Sequence, residues 1–425
     1  MSRDDWQRSV LKSIGVQGAA AKTEQPPSAG AAPGAARTRA QESSATDRSP
    51  RAEGQTAGAE PVATAGHHTA SAPAPHTPQH QPPQHQQQAH QATGVPAASE
   101  RPAGPEPDIA AAARQSLPPA PESLPVLPPA LASAGGRQRR GESVPRRSLR
   151  ALRGAFGSSA ARAVAVETRL AQELQQPVTT GRQIVVTSIR GGAGKTTVAA
   201  LLSRVYNHYR HDPVLTLEAD AALGTLPARL GAPSVRWSCA DLAQLVVPSM
   251  QLTDVTGYLV PLTDGGWLLP AGQGRVGSRV DIPTYRTVTV ALRRYFGITV
   301  IDCETLPGEV ARTAVDTAHA HVLVAPATVE GVAGTRAVVE WLATLPRPAT
   351  ARTVVALTTS TPHASLDLKA ASAHLREAGP AVFTLPYDRH LAAGGPVQTR
   401  LLASATRQAA IRLAAEVLGR AVTAR

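Results

Sequence analysis

Residues 188–197 of this chain read SIRGGAGKTT, and the fold follows from this stretch. The run before it, QIVVT at 183–187, is apolar and β-branched, which is typical of a buried parallel strand. The run after it, at 198–206, has the apolar periodicity of a helix. A strand, a glycine loop and a helix in this order form an arrangement that holds phosphate groups. The stretch therefore predicts a phosphate site in front of a helix.

The residue types within the loop fit that chemistry. Gly191, Gly192 and Gly194 let backbone N–H groups turn toward a phosphate without a clash at Cβ. The Lys195 ammonium can reach the β- and γ-phosphates, and Thr196 supplies a hydroxyl for Mg²⁺. Lysine occurs only at positions 12, 22, 195 and 369, so its presence in the loop favours a function. The alternative is a glycine-rich turn that binds nothing.

The composition divides the chain into a tail and a folded part. Aromatic residues make up 3% of the 425 residues, and none lies between Trp6 and Phe156. A segment without aromatic anchors buries too little apolar surface to offset its ordering entropy. We therefore expect a disordered tail rich in Ala, Pro, Gln and His at 16–136. An Arg-rich amphipathic linker at 137–179 and a folded domain at 180–425 follow it.

Residues 1–15 predict a short amphipathic helix that starts after Ser2 and stops at Gly15. Its apolar face consists of Trp6, Val10, Leu11 and Ile14. A helix this short is not stable alone. It either binds a protein partner or packs on the folded domain, and the sequence leaves both open.

The tail and linker contain two groups of polar side chains. Six histidines at 67–90 have irregular spacing and no accompanying cysteine, which favours a flexible tether over a metal site. Seven arginines at 137–153 accompany a single acid, Glu142, and apolar residues at helical spacing. This segment fits an anionic membrane face, a nucleic acid or an acidic partner. A linker helix that packs on the folded domain fits it equally well.

Cysteine content, hydropathy and charge bound the class of protein. Cys239 and Cys303 have no paired spacing and no secretory leader precedes them, which predicts a cytoplasmic location without disulfides. No apolar run reaches the roughly 18 residues of a membrane span, so we expect any membrane contact to be peripheral. The net charge of +12 fits nucleic acid, an anionic surface or a solvated basic tail.

Strands and helices alternate through the folded domain. Strands are expected at 183–187, 213–219, 258–262, 267–271, 298–302, 321–325, 353–357 and 381–385. The longest helix between strands is expected at 330–345 and a last helix at 398–422. This pattern indicates an α/β fold, with a mostly parallel twisted sheet flanked by helices. Ligands of such sheets bind at the carboxyl ends of the strands.

Acidic residues stand at two of those ends. Asp302 closes an apolar strand, where a carboxylate holds Mg²⁺ opposite Thr196. Glu218 and Asp220 close the second strand. The alternative for each is a helix cap, since parallel strands often end in such a residue.

The stretch 188–197 resembles the deviant loop KGGxGK[ST]T of the MinD/ParA ATPases, and the resemblance extends over 180–425. It implies that ATP is bound by Gly191, Gly192, Ala193, Gly194, Lys195, Thr196, Thr197, Pro386 and Tyr387. It implies Mg²⁺ at Thr196 and Asp302, and catalytic roles for Lys195, Asp220 and Arg190. In that family, dimers form face to face, and a signature lysine reaches the partner's phosphates. Arg190 stands at that position; the alternative is drift in a lysine-poor chain.

The chain departs from the family pattern at three further places. Glu218 replaces the first Asp of the switch motif, so the hydrolytic role falls to Asp220 with Glu218 in support. Glu304 and Thr305 replace a proline pair, and residues 358–360 lack the Asn that precedes the adenine. No NKxD signature for guanine is present, which favours ATP over GTP.

The order of tail, Arg-rich linker and MinD-like domain resembles the ATPases associated with type VII (ESX-like) secretion. The resemblance implies a cytoplasmic, slowly hydrolysing ATPase that dimerises with ATP and regulates or binds a membrane-associated assembly, with the tail contacting a protein partner. One alternative is a degenerate ATPase that acts as an interaction scaffold. Another is a ParA-like ATPase that partitions DNA. The last helix, alanine-rich with weak basic flanks, is typical of packing and not of a membrane anchor.

Overall fold

The computed structural model of the chain describes residues 120–134, 138–142, 159–220, 224–274, 280–345, 349–363 and 365–424. Several sequence predictions fall outside these residues. They are the amphipathic helix at 1–15, the tail up to residue 119 with its histidines, and the arginines of 143–158.

Within the described residues, eight strands form one sheet. They are β2 (Arg182–Ser188), β3 (Val214–Ala219), β5 (Val260–Pro261), β6 (Trp267–Leu269), β7 (Ile298–Cys303), β8 (Ala320–Pro326), β9 (Thr353–Thr358) and β10 (Ala381–Leu385). Their order is β10-β9-β8-β2-β7-β3-β6-β5, and only β5 pairs antiparallel to its neighbour. The mostly parallel sheet expected from the apolar runs is confirmed.

The helices lie between the strands and after them. They are α1 (Pro129–Ala134), α2 (Ser159–Leu174), α3 (Lys195–Tyr209), α4 (Leu226–Arg229), α5 (Cys239–Leu245), α6 (Leu252–Thr256), α7 (Ile282–Leu292), α8 (Glu309–Thr317), α9 (Val329–Ala343), α10 (Leu368–Arg376), α11 (Arg389–Ala392) and α12 (Ser404–Thr423). The helix expected at 330–345 is α9, which at 15 residues is no longer than α3.

Three expected elements are shorter or broken. The strands at 258–262 and 267–271 shrink to a hairpin of β5 and β6, because Pro261 and Pro270 have no N–H for a ladder. The last helix, expected from residue 398, is a 3₁₀ turn at Thr399–Leu401 followed by α12. The backbone is extended at Ala403, whose N–H donates to the Asp388 carboxylate at 2.8 Å.

Alternate side chains of the central strands enter two cores. Val185, Leu217 and Ile301 face a core that includes residues of α7, α8 and α9. Ile184 and Val300 face the other core, which includes residues of α3 and α12. With both faces covered, the ends of the strands are the edges left for ligands.

The folded part begins earlier than residue 180, and the disordered tail expected at 16–136 is wrong at its end. A short strand, β1 (Leu124–Pro125), pairs antiparallel with β4 (Ser234–Val235), and Val126 packs against the core of α3 and α12. These apolar residues gain burial that a free tail does not provide. Further along, Gly141 N–H donates to the Leu401 carbonyl at 2.7 Å.

Part of the linker expected at 137–179 is the helix α2. Its last residue, Leu174, is fully buried beside α3 and α12, and Leu170 packs against the same core. The carbonyl of Leu174 accepts a hydrogen bond from the Arg210 guanidinium at 2.8 Å. The apolar end of this helix thus packs on the folded domain.

Candidate functional site

The loop between β2 and α3 presents its backbone to open space. Gly192 and Gly194 have φ of 76° and 95°, in the left-handed region that favours glycine. A Cβ added at Gly191 or Gly192 would meet no heavy atom of the described residues within 4 Å. Gly194 is the N-cap of α3 and offers no capping side chain to the first N–H groups. Those donors are therefore available to an anion at the start of α3.

The strand order brings two acids to this loop. Asp302 of β7 is in register with Val186 of β2 on one side and with Glu218 of β3 on the other. Lys195, the first residue of α3, is buried, and its Nζ lies 3.7 Å from Oδ2 of Asp220. The predicted residues Lys195, Asp220 and Asp302 thus lie at one edge of the sheet.

Asp302 is buried and incompletely bonded. Its carboxylate contacts the Thr196 hydroxyl, while its Oδ1 has no hydrogen-bond partner among the described residues. Burial raises the pKa of Asp302 to about 7, the Thr196 hydrogen bond and Lys195 act against this rise, and Asp220 adds to it. An unpartnered buried carboxylate oxygen beside a threonine hydroxyl is a donor set that suits Mg²⁺. Asp302 and Thr196 are the residues that would hold the ion.

Glu218 does not face solvent. One carboxyl oxygen accepts from Leu226 N–H at 3.0 Å and the other from Ala271 N–H at 3.2 Å. Burial raises the pKa of Glu218 to about 8, against the effect of those two hydrogen bonds. A Cβ at Gly224 would lie 2.0 Å from Glu218 Oε1, so the loop passes closely over this acid. From its buried position, Glu218 therefore links the start of α4 at Leu226 to the segment after β6 at Ala271.

A cavity of about 290 Å³ continues from the glycine loop. Ala193 and Thr197 line one side, and Pro386 and Tyr387 line another. Thr359 also lines it, and its buried Oγ1 has no partner among the described residues. The cavity is thus lined by residues that were predicted to bind the nucleotide. The hydroxyl of Thr359 is available to a ligand there.

The position of β2 in the sheet decides the type of fold. Strand β2 lies between β7 and β8, carries the deviant glycine loop at its carboxyl end, and has the Asp302 carboxylate on the neighbouring strand. The described residues thus form a mostly parallel α/β sheet with a phosphate-loop arrangement at the carboxyl end of β2.

Among solved structures, the chain resembles a ParA family ATPase from Chlorobium tepidum at 12% identity. That match covers 55% of this chain and 98% of the other, with a TM-score of 0.46. It resembles the MinC:MinD cell division complex of Aquifex aeolicus at 21% identity, covering 56% and 96%, with a TM-score of 0.45. It also resembles MinD of Pyrococcus horikoshii with Mg-ADP at 21% identity. That match covers 56% of this chain and 96% of the other, with a TM-score of 0.42.

Among curated proteins, the chain is similar to the ESX-1 secretion-associated protein EspI of Mycobacterium tuberculosis. The two are 25% identical over 241 residues, which cover 55% of this chain. The chain spans only 36% of the length of that relative. No family model matches the chain.

One residue of the candidate site was not expected from the sequence. Arg229, which ends α4, donates to Thr197 Oγ1 at 2.6 Å and to the Leu391 carbonyl at 3.1 Å. It lines the cavity and links the helix of the glycine loop to the loop after β10. The sequence offers no signal for it, because Arg229 is one of many arginines and its partners are far along the chain.

Thr358, at the carboxyl end of β9, also contacts the loop. Its Oγ1 donates to the Ala193 carbonyl at 2.8 Å. Asp388, next to Tyr387, caps α11 by accepting from the His390 and Leu391 N–H groups. Asp388 also lines the cavity and so forms part of its wall.

Arg190 lies exposed in the glycine loop. Its side chain is exposed and forms no ion pair in the described part of the chain, while its carbonyl accepts from the Ser188 hydroxyl at 2.7 Å. The pKa of Glu330 is lowered by its backbone, then by the Thr328 hydroxyl and then by Arg190, which places Arg190 near the start of α9. The geometry leaves Arg190 accessible from outside the protomer.

The described residues contain neither a candidate metal cluster nor a candidate membrane span. No group of three or more His, Cys, Asp or Glu side chains there forms a metal cluster. Cys239 and Cys303 are both buried and unpaired. No helix among these residues is both long and apolar enough to cross a membrane.

Proposed function

We propose that this chain binds ATP with Mg²⁺, hydrolyses it slowly and uses the nucleotide state as a switch. The observation that carries the proposal is the convergence of Lys195, Asp220 and the half-bonded Asp302 on an open glycine loop. A buried carboxylate oxygen without a hydrogen-bond partner lowers the stability of the fold. Its presence beside the loop therefore favours a ligand over a purely structural turn.

In this proposal the residues of the site bind phosphate, hold Mg²⁺ and orient water. The N–H groups of the loop and of the start of α3 bind phosphate oxygens. Lys195 exchanges its contact with Asp220 for the β- and γ-phosphates. Thr196 and Asp302 hold Mg²⁺, which when bound neutralises charge on those phosphates. Asp220, freed from Lys195, orients the attacking water.

The base site supports adenine. Pro386 and Tyr387 offer an apolar wall, and Thr359 offers one hydroxyl that can accept from or donate to a base edge. Arg229 holds Thr197 and the Leu391 carbonyl, so it keeps the two walls at a fixed distance.

The switch acts through a dimer. Two protomers face each other over their glycine loops, and the exposed Arg190 of each reaches the partner's phosphates. A guanidinium binds phosphate oxygens in pairs, so it can replace a lysine with different geometry.

A role beside a membrane-associated secretion assembly rests on the similarity to EspI. That relative is secretion-associated, and the chain spans about a third of it. We place the protein in the cytoplasm, with the N-terminal tail bound to a protein partner and the Arg-rich segment as a peripheral contact with an anionic surface.

ATP turnover separates this proposal from a scaffold. It is measured for the full chain beside Lys195→Ala, Asp220→Ala and Arg412→Ala, the last an exposed control. We expect turnover in the parent and control only. Near-zero turnover in all four, with ATP still bound by the parent, would identify a scaffold. ATP-dependent retention of non-specific duplex DNA that falls with added salt would identify a partitioning ATPase.

A further inference from the structure

A second cavity lies at the opposite end of the sheet from the glycine loop. It measures about 800 Å³ and is bounded by the start of β2 and by His319, which precedes β8. Its lining includes four arginines, Arg286, Arg293, Arg352 and Arg420. The only acid that lines it among the described residues is Asp316. The cavity is therefore strongly cationic.

Two hydrogen-bond donors face each other inside this cavity. The Gln183 backbone N–H donates to Nδ1 of His319 at 3.1 Å, so Nδ1 must keep its lone pair. Burial first, and then Arg293 and other arginines, lower the pKa of His319 to about 4, so the ring is neutral and its proton sits on Nε2. Nε2 lies 2.9 Å from the Arg293 guanidinium, which is also a donor. Neither group has an acceptor at this contact.

A second cation of the same cavity is unpaired. The guanidinium of Arg286 is exposed at the cavity and donates to no described residue. The hydroxyl of Tyr285 also lines the cavity, but it shares a hydrogen bond with Thr317. The donors that remain for an acceptor in the cavity are therefore the Arg286 guanidinium and the Nε2–H of His319 beside Arg293.

Some of the positive charge has a structural role. Arg352 donates to the Ala318 carbonyl, and Arg420 donates to the Ala351 carbonyl at 2.6 Å. Arg420 also pairs with the Glu416 carboxylate at 2.7 Å, so these contacts commit both arginines to the fold. They also leave the donor pair of His319 and Arg293 unsatisfied.

We propose that this cavity binds a phosphate-type oxyanion between Arg286, Arg293 and His319. Such an anion supplies several acceptor oxygens to guanidinium and imidazole donors at once. The site is separate from the nucleotide site and does not depend on it.

Calorimetric titration of the full chain with inorganic phosphate tests this proposal. A Lys195→Ala background removes the loop lysine, so that binding to the nucleotide site does not mask the signal. We expect phosphate binding in this background and with the control Arg412→Gln added. Adding Arg286→Gln or Arg293→Gln should weaken binding by about tenfold, because each removes a charged donor. Arg286 makes no hydrogen bond to described residues, so its replacement spares the fold.

A second arm identifies the source of the anion. Sedimentation with phosphatidylcholine vesicles, with and without phosphatidic acid, is compared for the Arg286→Gln and Arg412→Gln variants, which have equal net charge. Retention that requires phosphatidic acid and Arg286 supports the site with a lipid headgroup as ligand. Binding of free phosphate or glycerol 3-phosphate alone supports it with a soluble ligand. Absence of all binding, or equal binding by the two variants, overturns the proposal.

Discussion

At the scale of single residues, Arg229 connects parts of the site that are distant in sequence. It reaches Thr197 on one side and the Leu391 carbonyl on the other. Sequence reasoning predicted residues whose type and spacing suit phosphate chemistry, such as Lys195 and Asp302, and the structure places these two close together. It missed Arg229 because nothing local distinguishes an arginine that bridges two elements from one in water.

Arg229→Gln should weaken ATP binding by about tenfold, since a charged hydrogen bond that orders the cavity is lost. Calorimetric titration with ATP and Mg²⁺ measures the change. Arg389→Gln, an exposed residue at the start of α11, serves as the control. An affinity equal to that of the control would show that Arg229 has no part in the nucleotide site.

At the scale of elements, the continuous apolar strands were predictable and their edges were not. The runs at 298–302 and 381–385 became β7 and β10 with almost the same bounds, because burial on both faces demands such runs. The strand β1 was not predictable, because two residues form a strand only against a partner, here β4. The break before α12 depends likewise on Asp388, fifteen residues away.

Gly141→Ala tests the attachment of the segment 138–142. A Cβ at Gly141 would lie 2.4 Å from the Asp388 carboxylate and 2.5 Å from Ala403 N, so the segment must shift. We expect a loss of about 1–3 kcal/mol in the free energy of unfolding. Hydrogen exchange of the segment should also become faster.

Gly419→Ala is the matched control for that change. It lies in α12, and a Cβ there would meet no described heavy atom within 4 Å. Alanine in an open helical position should stabilise by roughly 0.5–1 kcal/mol. A Gly141→Ala variant as stable as the parent would mean that the segment is not held at Asp388.

At the scale of the whole molecule, four buried groups set the dependence of stability on pH. Burial raises the pKa of Asp302 to about 7 and of Glu218 to about 8. Burial lowers the pKa of His319 to about 4 and of His321 to about 3. Below the ordinary histidine pKa, the two carboxyls make the free energy of unfolding fall as pH rises, and the two histidines make it rise. Above that pKa only the carboxyls change the free energy of unfolding, because they bind protons more tightly in the folded state than in the unfolded one.

The free energy of unfolding of the ligand-free protein should therefore fall by about 2 kcal/mol from about pH 6.5 to about pH 8. Denaturant unfolding at a series of pH values measures it. Asp302→Asn should reduce the fall, because it removes one of the two carboxyls. Stability that stays level or rises over this window would show that the two carboxyls titrate normally.

Dimerisation is the second property of the whole molecule that can be tested. Arg190→Ala should keep ATP binding to the monomer and lose the ATP-dependent increase in mass, because in the proposed dimer this exposed side chain reaches the partner's phosphates. Light scattering with ATP and Mg²⁺ measures the mass, and Arg412→Ala is the control. A dimer that forms equally well in both variants would rule out a role for Arg190 across the interface.

The contact of 3.7 Å between Lys195 and Asp220 has a consequence for the resting protein. The acid that would direct water is occupied by the very cation that would receive the triphosphate. In the proposed function, the negative charge of ATP would compete with the Asp220 carboxylate for the Lys195 ammonium. Nucleotide binding and the release of Asp220 to orient water would then be coupled in a single step.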